Sequence, residues 1–236
     1  MKLILSRKGF DSSSGGGPSP IIGGVPVSLP IPAKPHNDIS RTRYCDIGLG
    51  THVVDGAALC HHDPFFGNGR VAFGQQGAAA AHLANQGVGV GDIFLFFGLF
   101  SGDGHAPHHR IFGYSAVEQI LDVAAGDTPP DFVPDHPHFL NPDWKHNRVY
   151  VGRGARASDA SPALRLSVAD GPVSLWCVPD WLHKGRRLSF HGDPRRWLPG
   201  NRLQSVARGQ EFVVDIAGDD AAKDWLDQII STIESD

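Results

Sequence analysis

Hydrophobic positions along this chain come mostly in short runs of strand length, separated by stretches rich in glycine and proline. Lys2–Ser6 reads as a first strand. Asp92-Ile93-Phe94-Leu95-Phe96-Phe97 carries a continuous apolar run, the pattern of a central strand buried on both faces. Gly98–His108 reads as a loop, after which Arg110–Tyr114 returns as a strand. Further strands are expected at Arg148–Val151, Leu164–Val168, Val173–Val178, Arg187–His191 and Glu211–Ile216. Three stretches follow helical spacing instead. Gln75–Gln86 holds a run of alanines and is ended by Gly87–Gly91. Ala116–Ala124 puts Val117, Ile120, Leu121 and Ala124 on one stripe, and Asp219 to Ser235 turns Ala222, Trp225, Leu226 and Ile229 inward. Strands outnumber helices, and the regular strand–helix alternation of a doubly wound sheet is absent. The expected fold is therefore α+β: a mixed, mostly antiparallel sheet or open barrel with a few flanking helices and long loops.

Composition narrows this only modestly. A chain of 236 residues reads as a single domain, 1–236, long enough to bury a core. Glycine and proline together make up about a fifth of it, below the range of disordered chains, so the loops belong to a folded protein. The net charge of -4 argues against a general duplex-binding protein. Cys45, Cys60 and Cys177 form no CxxC pair, which suits a reducing compartment and excludes a zinc ribbon. Met1–Leu5 is too short for a signal peptide, and no apolar run reaches membrane-spanning length. A cytoplasmic protein without membrane partners is the expectation.

The densest chemistry lies between Cys60 and Leu83. His61 and Asp63 form a His-x-Asp pair, and extended backbone there would turn both side chains to one face. One imidazole and one carboxylate make two thirds of a 2-His-1-carboxylate triad, the set that holds non-heme Fe(II) and leaves positions open. The alternative is a hydrogen-bonded loop pair that positions Pro64. In His136-Pro137-His138 the proline holds His136 extended, so both histidines can project to one side. The loop from Arg7 to Pro20 is no P-loop, yet its glycines and hydroxyls directly after a strand let backbone N–H groups approach an anion. Arg7 and Lys8 add charge there, and Asp11 could accept a proton. Lys184–Arg208 is locally basic, with Trp181, Phe190 and Trp197 interleaved; this is either a phosphate- and base-contacting surface or a solvated basic face.

Several motifs together resemble one family. They are Ser6-Arg7-Lys8-Gly9-Phe10-Asp11-Ser12-Ser13-Ser14-Gly15-Gly16, His61-x-Asp63-Pro64, Gly74-Gln75 with Ala79, Ala80 and His82, and Gly91 to Gly98. His136-Pro137-His138 and Arg208-Gly209-Gln210-Glu211-Phe212-Val213 complete the set. Across nearly the whole chain this is similar to the third type of nucleotide modification associated domain, a bacterial and phage family proposed to modify nucleobases. The resemblance implies that Arg7, Asp11, Ser12, Ser13, His61, Asp63, the His136/His138 pair, Arg208 and Glu211 cluster at a site. The substrate it implies is a nucleotide or nucleic acid, with a peptide as the other possibility.

The expected function is a metal-dependent, oxygen-using modification enzyme, an iron oxidoreductase. His61, Asp63 and His138 are the expected Fe(II) ligands, with His136, His82 and His191 in reserve. Asp11 and Arg7 are the catalytic candidates, and Ser12, Ser13, Gln75, Arg208 and Glu211 the substrate contacts. Arg208 or Arg148 could clamp a carboxylate or phosphate. The order of His-x-Asp, distant His and later Arg is similar to that of 2-oxoglutarate oxygenases, but their barrel is not evident in the strand pattern, so no such co-substrate is assigned. Two alternatives stay open: metal-free group transfer to a nucleobase with Asp11 and His61 as acid and base, and a non-catalytic module that reads modified bases.

Overall fold

The computed structural model describes residues 1–11, 13–34, 36, 38–49, 54–183, 188–207 and 211–235. In chain order the strands are β1 (Lys2–Arg7), β2 (Ser19–Ile22), β3 (Val25–Pro26), β4 (Phe65–Gly67), β5 (Arg70–Gln75), β6 (Ile93–Gly102), β7 (His105–Asp122), β8 (Arg148–Arg153), β9 (Leu175–Cys177), β10 (Trp197–Leu198), β11 (Arg202–Gln204) and β12 (Glu211–Asp215). The helices are α1 (Gly77–Asn85), α2 (Pro137–Leu140), α3 (Asp180–His183) and α4 (Asp220–Glu234). The fold is α+β, as the strand-rich pattern predicts. A large sheet runs β12-β1-β6-β7-β8-β5-β4, with the β2–β3 hairpin attached to β6, and it does not close into a barrel. The β1–β6 and β2–β6 pairs are parallel and the others antiparallel. A small sheet, β10-β11-β9, lies apart.

The apolar run in β6 explains the layers. Leu95 and Phe97 face a core shared with Leu3 and Leu5 of β1, Trp176 of β9 and the inner stripe of α4, Ala222, Leu226, Ile229 and Ile233. Phe94 and Phe96 face the other way, onto Phe73, Tyr150, Ile4 and Leu83 of α1. Alternating side chains of one strand thus feed two cores, so no polar position interrupts the run. A third, smaller core of Phe10, Leu29, Tyr44 and Cys60 pins the long segment before β4.

Four expectations change. Gly98–His108 is the tip of a long β6–β7 hairpin, closed by Asp103-Gly104 with φ of 51° and 78°. Asp-Gly is a strong two-residue hairpin turn. The helix expected over Ala116–Ala124 is instead strand, because β7 continues to Asp122. A bulge between Val117 and Gln119 leaves Glu118 and Gln119 both exposed, and that interruption imitates helical spacing. Leu164–Val168 holds a 3-10 turn, Pro162–Leu164, and isolated bridges of Arg165 and Ser167 in place of a strand. For Arg187–His191, Arg187 lies outside the described residues; Leu188–His191 forms a turn tied to β12 through Ser189 N–H and Val213 O at 2.9 Å. The β4–β5 hairpin is new, and its turn is Asn68-Gly69. Among the described residues no helix is long and apolar enough to cross a membrane.

Candidate metal centre

The segment before β4 is held extended by bridges Pro32↔Cys60 and Arg43↔Leu59, and by His61 N–H donating to Ile31 O at 2.8 Å. Beyond His61 the backbone tightens, with Asp63 N–H donating to His61 O at 2.9 Å, and His61 and Asp63 face the same point. His62 goes elsewhere and packs on Phe65, ring centroids 5.3 Å apart, where burial first and Arg156 second lower its pKa to about 4. His136 is extended before Pro137 and caps α2 by accepting from His138 N–H. The short helix delivers His138 to the same place. Ligand atoms of His61, Asp63 and His138 all lie within 4.8 Å of one another.

Hydrogen bonds fix which atoms face inward. Asn147 Nδ2 donates to the carbonyls of His138 and Asn141 at 2.9 and 3.0 Å, so its Oδ1 is the atom facing His138 Nδ1, at 2.5 Å. An amide oxygen only accepts, hence His138 carries its proton on Nδ1 and keeps a lone pair on Nε2. His61 Nδ1 lies 3.0 Å from Asp38 Oδ2, and the same reasoning leaves its Nε2 facing Asp63. Asp63 Oδ1 accepts from Gly74 N–H at 2.9 Å and faces His136 Nε2 at 3.5 Å. Its Oδ2 is 3.8 Å from His61 Nε2, beyond hydrogen-bond length. Oriented imidazoles with oxygen partners on the far nitrogen are the usual support of a metal site.

The electrostatics set the protonation of the metal-free cluster. Burial alone would raise Asp63, but the imidazoles of His136 and His61 hold it ionised, well below the usual carboxylate range. Burial keeps His138 neutral, its pKa lowered to about 3 against the pull of Asp63. At His61 burial opposes charge, yet Asp38 and Asp63 outweigh it and raise the imidazole to about 9, so the metal-free ring is charged and a metal binding at Nε2 would displace a proton. The donor set of two imidazole nitrogens and one carboxylate fits a divalent transition metal, and these three residues could hold one.

The cluster opens into a cavity of about 570 Å³. Arg7, Lys8 and Lys34 line it, as do Asp11, Ser13, Gln75 and Trp144. Trp144 lies 5.9 Å from His61 and 5.1 Å from His138, ring to ring. Residues 76 to 79, at the start of α1, form another part of the wall, where Gln76 makes no side-chain cap.

A family model described as nucleotide modification associated domain 3 matches residues 2–215. The chain belongs to that family. No curated protein and no solved structure matches it. The match takes in every residue of the nucleotide modification associated domain 3 site outlined above, from Arg7 to Asn147.

Most of the residues singled out in the sequence meet in this cavity. Arg7 is anchored by donating to Ala207 O and Val206 O at 3.0 and 3.2 Å, and burial lowers its pKa while Asp11 opposes that. Asp11 Oδ1 accepts from Ser13 N–H, Ser13 Oγ and Ser14 N–H at 2.8, 2.7 and 2.8 Å, which shapes the serine loop. Ser12 and Arg208 lie outside the described residues. Glu211 is 1% exposed and sits behind the wall: its Oε1 accepts from Ser6 at 3.2 Å, from Lys8 at 3.0 Å and from Gln75. Gln75 ends β5 rather than opening the helix, which begins at Gly77. His82 meets Ser189 at 3.2 Å, and His191 is held by Ser189 O and Val206 N–H, so these two reserves are placed away from Asp63. Arg148 pairs with Asp122 at 2.6 Å. Sequence reasoning missed Asp38, Asn147 and Trp144, none of which carries a local motif. It quoted Gly74 without its role, although a lone glycine in a strand signals close approach of another group.

Proposed function

We propose that this nucleotide modification associated domain is a metal-dependent enzyme that acts on a nucleobase or nucleotide and holds Fe(II) through His61, Asp63 and His138. The observation that carries this is the triad itself: three convergent donor atoms, tautomers fixed by Asp38 and Asn147, at the floor of a cavity of nucleotide-compatible size, about 570 Å³. Fe(II) in a 2-His-1-carboxylate site supplies oxygen activation and hence oxidation of an unreactive carbon.

The chain's own groups do the rest. Lys8, Lys34 and Arg7 attract the substrate's phosphate, and Ser14 of the serine loop that Asp11 shapes lines the same cavity. Asp11 Oδ2 is left to accept a proton. Glu211 holds Lys8 and Gln75 in position from behind. Trp144 packs against both ligand imidazoles and narrows the space above them. The alternative of a base-reading module has less support, because Trp144 is the one Phe, Tyr or Trp ring lining the cavity among the described residues. An imidazole held through Nδ1 by a carboxylate also suits a general base, so metal-free group transfer through His61 is the competing reading; what favours the metal is that His138 Nε2 and Asp63 converge on the same point as His61.

The test is oxygen uptake by Fe(II)-loaded protein offered nucleosides, nucleotides and oligonucleotides, beside Asp63→Asn. Uptake that depends on one of these substrates and is lost in Asp63→Asn supports the reading. A nucleotide-dependent reaction that proceeds equally in Asp63→Asn would overturn it.

A further inference from the structure

The turn at Leu188–His191 contains a residue that neither the fold nor the metal centre explains. Phe190 has φ of 63° and is 51% exposed. A bulky side chain is strained in that backbone region, and asparagine or glycine meets it with less cost. Half of the Phe190 surface stays in solvent, so burial offsets only part of that strain. The ring instead lies 4.5 Å from the imidazole of His82 in α1, and His82 is itself steadied by Ser189 Oγ at 3.2 Å. Together the two rings make an aromatic surface open to solvent.

This surface adjoins the cavity. Ser189 Oγ donates to Glu211 O at 3.3 Å, and the Glu211 carboxylate holds Lys8 and Gln75 of the cavity wall. Phe190 also packs on Phe212, the next residue of β12, at 6.3 Å. On the same wall, Arg7 grips Val206 O and Ala207 O, at the end of the basic segment. From Lys184 to Arg208 that segment carries seven basic residues against Asp193 alone, in a chain of net charge -4. Lys184, Arg186, Arg187 and Arg208 lie outside the described residues; of the other three, Arg202 and Arg195 are exposed, Arg195 pairing with Asp193 at 2.8 Å, and Arg196 is half-buried.

We propose that Phe190 and His82 form a stacking platform for a base of a single-stranded nucleic acid, next to the base that enters the metal cavity, with Arg196 and Arg202 as the phosphate contacts among the described residues. This rests on the proposed function for the occupant of the cavity and makes the substrate a strand rather than a free nucleotide. Stacking suits any base, because every base has a flat face, and the phosphate contacts add salt dependence.

The test uses the full chain without metal and a fluorescein-labelled single-stranded oligonucleotide of mixed sequence, followed by fluorescence anisotropy at fixed salt. The wild type should bind it more tightly than it binds a mononucleotide. Phe190→Asn should weaken binding by about five- to a hundredfold. The same variant should unfold at an equal or higher temperature, since asparagine relieves the strained backbone. A structural role for Phe190 predicts the reverse, lower stability and unchanged binding, and that result overturns the platform. Equal affinity for oligonucleotide and mononucleotide also overturns it. Metal uptake, measured on the same preparations, separates the two claims. Weakened binding in Phe190→Asn supports the platform even if no metal is taken up, which would overturn the catalytic reading alone.

Discussion

A Cβ atom built on Gly74 would lie 2.1 Å from Cδ2 of His138 and 2.4 Å from its Nε2. His138, the third ligand proposed for the metal, therefore occupies the space that any other residue at position 74 would fill. Gly74 belongs to β5 and pairs with Val149, so its backbone is ordinary strand and alanine is compatible with it. Gly74→Ala should leave the fold intact at a stability cost of about 1–3 kcal/mol while displacing His138. Metal affinity should fall at least tenfold, as read by competition with a chelator. Unchanged affinity would show that His138 is not a ligand.

The oxygen partners of the two imidazoles give a second prediction. Asp38→Ala and Asn147→Ala each free one ring to rotate or change tautomer. Each should lower metal affinity by about 10- to 100-fold with all three ligands still present. If chelator competition shows both variants equal to wild type, the proposed orientation is wrong.

Much of the architecture could be read from the sequence where the signal is local. The run from Ile93 to Phe97 is buried on both faces because consecutive side chains enter two different cores. The spacing of Ala222, Leu226 and Ile229 places α4 directly. The reading fails in β7, where the bulge at Val117–Gln119 breaks strand alternation and Gly98–His108 continues as hairpin through a two-residue turn. At the site, His-x-Asp was legible because both residues lie two positions apart on one short segment, although a tight turn rather than extended backbone brings them together. Asp38 and Asn147 were not, since Asp38 reaches His61 across 23 positions and Asn147 reaches His138 across nine. Glu211 was marked by its motif, but its burial against Ser6, Lys8 and Gln75 depends on β1 and β12 pairing, which no local pattern encodes.

That burial carries a stability prediction. Lys8 and Glu211 form an ion pair with side chains 9% and 1% exposed. Glu211→Gln leaves the Lys8 ammonium without its counter-charge and should cost about 3–5 kcal/mol in chemical denaturation. Adding Lys8→Met should recover most of the loss, because the uncompensated charge is then gone. A cost under about 1 kcal/mol for Glu211→Gln would mean that water or another group already solvates Lys8.

His109 predicts a pH dependence. Its Nδ1 accepts from Trp176 Nε1 at 3.0 Å, and burial, reinforced by the charge of Arg7, lowers its pKa to about 3. The unfolded imidazole titrates near about 6.5. Between these values the unfolded chain binds the extra proton, so stability falls as pH drops below the upper one. His109→Gln keeps an acceptor for Trp176 but removes the titration. The slope of unfolding free energy against pH, near pH 5, should become shallower by up to about 1.4 kcal/mol per unit. An unchanged slope would place the charged form in the folded protein.

The central claim is that His61, Asp63 and His138 bind iron. The most direct measurement is elemental analysis of protein purified without oxygen and reconstituted with Fe(II), beside a variant carrying His61→Ala and Asp63→Ala. The account predicts near-stoichiometric iron in the wild type and its loss in a variant that remains folded. No bound metal in either protein, even after reconstitution, would contradict it.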